Sequence, residues 1–285
     1  MREAFYYAPT ELAEAVTILA DYRAKAAVLA GGTDLLPKLN YYEVKPQALI
    51  YIGRLGLRSI HNGGAELIIG ATTTTADLAQ NELVHKYAPA LAQAARLSGS
   101  IAIQNAATIG GNIANASPAA DLVAALLAMD ASARLVSHKG QRDVSLADFF
   151  LGPHHTILEP DELITQVHIP VSPGKVEFLK LGRRKGQTLA VVSAAVRLQM
   201  DGNLCQDVRV VLGSMAPTPL RCRMAENLLR GQKITQELIH ESARRAIAES
   251  SPITDQRATA WYRRKAGEAL VRRAIQQALD KREDS

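Results

Sequence analysis

Two Gly-Gly pairs, each placed directly after apolar residues, are the features that most constrain how this chain can fold. The first lies in the segment Leu29-Ala-Gly-Gly-Thr-Asp-Leu-Leu36, which continues the short apolar run 26–30. A buried strand that ends in Gly-Gly can turn sharply and point successive backbone N–H groups inward, where they form a nest for an anion such as phosphate. A plain tight turn is the alternative interpretation, because Gly-Gly is also a common turn dipeptide.

The second pair lies in a longer segment, 107–122, with the sequence ATIGGNIANASPAADL. The side chains of Thr108 and Asn112 place short polar groups at the edges of the predicted glycine loop. Ser117-Pro118 is typical of a helix start, and we expect it to open the helix that contains Asp121. The Asp121 carboxylate would then either cap that helix or bind ribose hydroxyls or the adenine end of a nucleotide.

Two such loops in one domain favour a pyrophosphate held from both sides, and therefore a dinucleotide ligand. The sequence contains no GxGxxG, no GxG and no P-loop pattern. A Rossmann or P-loop site is therefore excluded, and the dinucleotide site must belong to another architecture.

The arrangement of apolar runs predicts two different units. Strands are expected at 26–30 and 48–52, a hairpin around Asn62-Gly63, and a linker at 169–174. Further strands are expected at 178–181, 189–200 and 208–213, followed by a helical pattern over 221–282. We expect a mixed α/β unit followed by an antiparallel sheet with helices on one face.

Composition excludes several classes of protein. The formal net charge is +5, but the basic runs are short, at 183–185, 263–265 and 272–273, and no aromatic stripe accompanies them. This pattern favours solvated helix faces over nucleic-acid binding. Two cysteines without a CxxC cannot form a disulfide scaffold, a zinc site or an iron–sulfur site. The sequence has no apolar run of about 18 residues and no signal-peptide pattern, so we expect no membrane span and a cytoplasmic location.

The two motifs AGGTDLL and TIGGNIANASPAADL together resemble the FAD-binding medium subunits of the molybdenum hydroxylases. This family includes the flavin subunit of xanthine dehydrogenase and the medium chain of aerobic carbon monoxide dehydrogenase. The resemblance implies an α+β fold with a vanillyl-alcohol-oxidase (PCMH) type FAD-binding domain over 1–170, made of two α/β subdomains at about 1–55 and 56–170. It also implies a C-terminal flavoprotein domain over 175–285.

The same resemblance implies which residues bind FAD. Pyrophosphate contacts fall on the two glycine motifs, an apolar contact falls before the linker, and an aspartate and a lysine lie near the cofactor. Many relatives carry an acid or an aromatic residue near the isoalloxazine, whereas this chain has Thr188 and Leu189 there. The implied FAD-binding residues are Leu29, Ala30, Gly31, Gly32, Thr33, Asp34, Leu35, Thr108, Ile109, Gly110, Gly111, Asn112, Asp121, Ile164 and Lys180.

For function, the resemblance implies electron transfer rather than substrate chemistry in this chain. The substrate is expected to be oxidised on a large molybdopterin-containing partner subunit. Electrons would pass through the [2Fe–2S] clusters of a small partner subunit to FAD, and from FAD to NAD or another acceptor. Two alternatives are a stand-alone FAD-dependent oxidase of the same fold and a nucleotide-binding module without enzymatic activity.

Overall fold

The computed structural model describes residues 4–184 and 186–280. Residues 1–3, 185 and 281–285 lie outside the described residues. The start of the predicted domain 1–170, the end of the predicted domain 175–285 and Lys185 of the basic run at 183–185 are therefore not described.

A small parallel sheet forms the first unit. Its elements are β1 (Phe5–Tyr7), α1 (Leu12–Tyr22), β2 (Ala26–Leu29), α2 (Leu35–Asn40) and β3 (Ala48–Tyr51), and the strand order is β1-β3-β2. Leu19, Ile50 and Ile52 are buried in its core, together with Leu163 from much later in the chain. Because β2 and β3 are parallel, β2 ends at the same edge as β3, and the chain leaves that edge through the first Gly-Gly pair.

An antiparallel sheet with helices on it forms the second unit. The predicted hairpin at Asn62-Gly63 is confirmed, because the N–H of Gly63 donates to the carbonyl of Glu66 at 2.8 Å. The elements are β4 (Ile60–Asn62), β5 (Glu66–Gly70), α3 (Thr75–Gln80), α4 (Glu82–Tyr87), α5 (Pro89–Leu97), α6 (Ile101–Ala106), α7 (Ile109–Asn115), α8 (Asp121–Ala128), β6 (Ser132–Ser137), β7 (Gly140–Ser145), β8 (Phe150–Gly152), β9 (His155–Thr156) and β10 (Leu163–Pro170). The strand order is β4-β5-β10-β6-β7, and a separate two-stranded sheet pairs β8 with β9.

A four-stranded antiparallel sheet forms the third unit, with helices packed against it. The elements are β11 (Lys175–Leu181), β12 (Val192–Asp201), β13 (Leu204–Gly213), β14 (Leu220–Arg221), α9 (Arg223–Leu229), α10 (Gln236–Ala248) and α11 (Ala260–Asp280). The strand order is β11-β12-β13-β14, and a hairpin at Asp201-Gly202-Asn203 joins the two long strands β12 and β13. The expected α+β class is confirmed, whereas the exact domain limits stay predictions.

Helix α8 packs between the second and third units. Every residue of α8 is buried, and the helix packs against both β12 and β13. Directly after α8, the carboxylate of Asp130 accepts hydrogen bonds from Arg197 at 2.7 Å and from Arg209 at 3.0 Å. An apolar helix and an ion-pair cluster therefore hold the third unit against the second.

One basic run does not lie on a solvated helix face as expected. Arg263 of α11 is only 2% exposed, and its guanidinium donates to the Asp255 carboxylate at 2.8 Å and to the carbonyl of Val191. Because the guanidinium presents several donors in a rigid plane, it can hold one end of α11 against the start of β12. The expectation of a solvated face is therefore wrong for Arg263. No described helix is long and apolar enough to cross a membrane.

Candidate functional site

The first glycine motif forms a loop between β2 and α2 with a row of free donors. The N–H of Ile52 donates to the carbonyl of Leu29 and ends the pairing of β2 with β3, and Gly32 turns the chain with a φ of +71°. The N–H of Leu36 donates back to the carbonyl of Gly32 at 3.0 Å. Between these bonds, the five consecutive N–H groups of residues 31–35 have no acceptor among the residues that the structure describes. Such a row of donors is suited to a phosphate group.

Gly31 brings this loop into direct contact with the chain before the second motif. A Cβ atom added at Gly31 would lie 1.7 Å from the carbonyl oxygen of Ala106, the last residue of α6, and 2.5 Å from its carbonyl carbon. No side chain fits in that space. The glycine is therefore required by the close approach of two backbone segments.

The second glycine motif is the start of a helix, so the expectation of an open loop at Thr108–Asn112 is wrong. Helix α7 begins at Ile109, with Thr108 as its N-cap, and the N–H of Gly111 donates to Thr108 Oγ1 at 3.1 Å. The N–H groups of Ile109 and Gly110 donate to the carbonyls of Thr73 and Ala71 at 3.0 and 2.9 Å. The donors in this turn are thus already used within the protein.

The glycines of α7 instead allow close packing. A Cβ atom at Gly110 would lie 2.8 Å from the Cβ of Ala71, so only glycine lets α7 rest on the end of β5. The expected helix start at Ser117-Pro118 is also wrong. Residues 117–120 form a turn, in which the N–H of Ala120 donates to the carbonyl of Ser117, and α8 begins at Asp121.

A cleft of about 310 Å³ separates the first loop from α7. Its walls are made mainly of backbone and small side chains from both motifs, and residues of the segment 158–164 complete the lining. The predicted residues that line it are Ala30, Gly31, Gly32, Thr33, Asp34, Leu35, Thr108, Gly110, Gly111, Asn112 and Ile164. The structure therefore brings both motifs together with Ile164, the apolar residue predicted to contact FAD.

Four predicted residues do not line this cleft. Leu29 and Ile109 belong to the motifs but are not part of the lining, and Ile109 is fully buried. Asp121 and Lys180 form a separate buried pair. The roles assigned to all the predicted site residues stay predictions.

Several lining residues were not predicted from the sequence. Asn115 lies one turn after Gly111 on α7, so a helical interpretation of the second motif would have found it. Two others, Ala107 and Ala114, belong to the second motif but carry no polar group, and the remainder lie outside both motifs. The unpredicted lining residues are Ala27, Val28, Ile52, Ala71, Ala107, Ala114, Asn115, Leu158, Glu162 and Leu163.

Asn112, a residue of the cleft lining, has a polar atom without a partner. Its Oδ1 atom is buried and has no hydrogen-bond partner in the described part of the chain. A buried acceptor without a donor is unfavourable, so a donor that reached this atom would stabilise the site.

Asp121 and Lys180 form an ion pair between α8 and β11. The ammonium of Lys180 lies 2.5 Å from Asp121 Oδ2 and also donates to the carbonyl of Leu97 at 2.9 Å. The two side chains are only 4% and 5% exposed. Burial raises the pKa of Asp121 to about 6, although the Lys180 ammonium acts in the opposite direction. The other oxygen, Asp121 Oδ1, is buried without a partner among the described residues.

No described group of three or more His, Cys, Asp or Glu side chains could hold a metal ion. The two cysteines of the chain, Cys205 and Cys222, are both buried, and burial raises the pKa of each thiol. Neither cysteine is therefore placed to act as a ligand or as a nucleophile.

Free backbone donors on residues that line a glycine-containing cleft are suited to a phosphate-containing ligand. Residues 2–172 match the family model described as "FAD binding domain in molybdopterin dehydrogenase", and residues 177–278 match "CO dehydrogenase flavoprotein C-terminal domain". The chain is 34% identical to the carbon monoxide dehydrogenase medium chain of Hydrogenophaga pseudoflava over 276 residues, which cover 96% of both chains. It is 33% identical to the glyceraldehyde dehydrogenase medium chain of Sulfolobus acidocaldarius over 251 residues, 87% of this chain and 89% of that one.

A solved structure agrees with these matches. Carbon monoxide dehydrogenase from Hydrogenophaga pseudoflava superposes with a TM-score of 0.94 at 34% identity, covering 98% of this chain and 99% of that one. The chain belongs to the family of FAD-binding medium subunits of molybdenum hydroxylase-type dehydrogenases. It is an oxidoreductase subunit with FAD as its cofactor, and the expected vanillyl-alcohol-oxidase type of fold is confirmed.

Removing the N-cap of α7 tests how the second motif supports cofactor binding. We expect Thr108→Val to lower the free energy of unfolding by about 1 kcal/mol, because the Gly111 N–H loses its acceptor. We also expect FAD to bind roughly fivefold more weakly, because α7 forms one wall of the cleft and a loss of about 1 kcal/mol corresponds to a fivefold change in affinity. Urea unfolding and titration with FAD measure the two effects.

Thr235→Val is the matched control, because Thr235 caps α10 in the same way, through the N–H of Leu238. It should lose similar stability and keep its affinity for FAD. Equal FAD affinities in the two variants would contradict a role of α7 in the cleft.

Proposed function

We propose that the pyrophosphate of FAD binds to the free N–H groups of residues 31–35, with α7 forming the opposite wall. The observation that carries this proposal is the row of five consecutive backbone donors without an acceptor in the described residues, at the wall of the cleft. Phosphate oxygens are acceptors only, so they complement such a row of donors.

The other residues of the cleft fit the same cofactor. Gly111 has no side chain, and a Cβ atom there would meet only Thr108 Oγ1, at 3.0 Å, so a ligand can approach the backbone of α7 closely. The unpaired Oδ1 of Asn112 is an acceptor for a sugar or ribityl hydroxyl, and Ile164 and Leu163 supply apolar contacts. Asp121 and Lys180 lie outside the lining, so we assign their pair to holding α8 against β11.

FAD, when bound, supplies the redox chemistry, and the side chains of this subunit bind and orient it. The backbone donors hold the phosphates, and residues of the segment 158–164 line the cleft on the side of β10. This chain needs no nucleophile or general base for such a role.

Binding measurements with FAD and riboflavin test the position of the pyrophosphate. Riboflavin has the same isoalloxazine ring but lacks the diphosphate and the adenosine, so we expect the purified chain to bind FAD stoichiometrically and riboflavin at least 100-fold more weakly, about 2.7 kcal/mol. Inorganic pyrophosphate should compete with FAD. A protein that cannot be reconstituted with FAD, or that binds both flavins equally, would contradict the proposal.

The physiological reaction requires two partner subunits. A large molybdopterin-containing subunit oxidises the substrate, and a small subunit with [2Fe–2S] clusters passes the electrons to the FAD of this chain. NAD or another acceptor then takes them from the flavin. Two points support this: relatives are named as medium chains of dehydrogenases, and a chain with two buried cysteines cannot supply the four thiolates that such a cluster needs.

Reduction of the bound flavin distinguishes this role from that of a stand-alone oxidase. We expect substrates of the assembled complex to leave the FAD of the isolated chain oxidised, and to reduce it once both partner subunits are added. Absorbance of the flavin reports the result. Turnover by the isolated chain would instead support the oxidase.

A further inference from the structure

Two carboxylates line the cleft, and both are paired with cations that lie outside the lining. Glu162 accepts two hydrogen bonds from Arg142, at 2.7 and 2.8 Å, and this pairing lowers the pKa of Glu162. Asp34 pairs with Lys38 at 2.6 Å. Within the described residues, no Lys, Arg or His side chain lines the cleft itself. The lining alone therefore carries negative charge, which is unfavourable for a dianionic ligand unless these cations cancel it.

Lys38 is placed to cancel the charge of Asp34 and to connect the two walls of the cleft. It lies on α2, one turn after Asp34, and its ammonium also donates to Asn115 Oδ1 at 3.4 Å. Asn115 is the last residue of α7, and its carbonyl is held by His154 Nδ1 at 2.8 Å. The ammonium thus contacts one residue of the first loop and one residue of the opposite wall.

We propose that Lys38 is a positioning residue for the cofactor: by neutralising Asp34, it permits the pyrophosphate to bind next to a carboxylate. This inference rests on the proposed position of the pyrophosphate. It assigns no contact between Lys38 and FAD. Its effect is transmitted through Asp34, whose uncompensated charge would repel the phosphates at short range.

Variants of Lys38 and Asp34 separate this mechanism from a direct contact. We expect Lys38→Met, which keeps the length of the side chain, to raise the dissociation constant for FAD roughly tenfold at low salt, and less at high salt because exposed charges are screened. In the Asp34→Asn background, Lys38→Met should raise the dissociation constant for FAD less than twofold. Binding of riboflavin should be unaffected by Lys38→Met, because riboflavin has no phosphate.

Lys86→Met is the control for the loss of a lysine, since Lys86 is exposed on α4, away from the cleft. It should bind FAD as the unmodified chain does. Equal affinity of Lys38→Met and the unmodified chain would overturn the proposal, and so would a tenfold loss that persists in the Asp34→Asn background, because it would indicate direct contact with phosphate. Equal binding of FAD and riboflavin by the unmodified chain would contradict the proposed position of the pyrophosphate. That result is independent of the Lys38 variants, so the two failures can be distinguished.

Discussion

Gly31→Ala is expected to lose both stability and FAD binding, although it adds a single methyl group. The added Cβ would lie 1.7 Å from the carbonyl oxygen of Ala106, so one of two backbone segments has to move. Overpacking of a well-packed site costs about 1–3 kcal/mol, and contact with rigid backbone places this variant at the upper limit, about 3 kcal/mol. Since the moving segment carries the free donors, we expect FAD affinity to fall more than 100-fold.

Gly186→Ala is the control for this experiment. A Cβ atom at Gly186 meets no heavy atom within 4 Å, so the change should alter neither stability nor FAD affinity. Urea unfolding of the FAD-free protein and titration with FAD give the two quantities. An alanine at position 31 that is tolerated in both measurements would show that the first loop and α6 are not in close contact.

The second large effect is expected from Lys180→Met. This change leaves the buried carboxylate of Asp121 without its cation, and breaking a buried ion pair in this way lowers the free energy of unfolding by about 3–5 kcal/mol. We expect a loss of this size at pH 8. The affected contacts join α8 to β11, so the third unit should separate from the second at lower urea concentration.

The size of this loss should depend on pH in a defined direction. Burial raises the pKa of Asp121 to about 6 in the folded protein, above its ordinary value of 3.8. Between pH 3.8 and about 6, Asp121 binds a proton in the folded state but not in the unfolded state. The stability that this proton contributes is therefore lost as the pH rises through about 6. Without Lys180 the pKa rises further. Lys180→Met should therefore be less destabilising at pH 5, where Asp121 can take up a proton, than at pH 8.

Two further variants make the test specific. Lys86→Met, which changes an exposed lysine, should have little effect at either pH. The double variant Asp121→Leu with Lys180→Met removes both buried charges and should recover part of the stability at pH 8. Equal losses for Lys180→Met at pH 5 and pH 8 would contradict the buried pair as the cause.

The sequence was informative wherever local chemistry decides the structure. Gly-Gly after an apolar run predicted the turn at the end of β2, and Asn62-Gly63 predicted a hairpin, because each requires backbone conformations or spaces that few residues tolerate. The absence of GxGxxG excluded a Rossmann site, because that site also requires glycine at fixed positions. The paired motifs further indicated the family, which the comparisons confirmed.

The role of the second glycine pair could not be predicted in this way. The turn at 31–32 and the helix start at 110–111 contain the same dipeptide, but in the second case the N–H of Gly110 donates to the carbonyl of Ala71, and that of Gly111 donates to Thr108 Oγ1. Ala71 is more than 30 residues away in sequence, so only the folded chain shows that the Gly110 donor is already used. The burial of Arg263 was equally absent from the sequence pattern, because its partners, Asp255 and Val191, lie outside α11.

The sequence by itself determined the class of the protein, its cofactor and the two segments that form the cleft, because these depend on residue types within short windows. Only the tertiary structure decided which segment keeps its donors free, how closely Gly31 approaches Ala106, and that Lys38 and Arg142 neutralise the carboxylates of the cleft. It also joined Asp121 to Lys180 as a pair. Hydrogen bonds and ion pairs of this kind depend on distances between atoms that are remote in sequence, and packing alone fixes those distances.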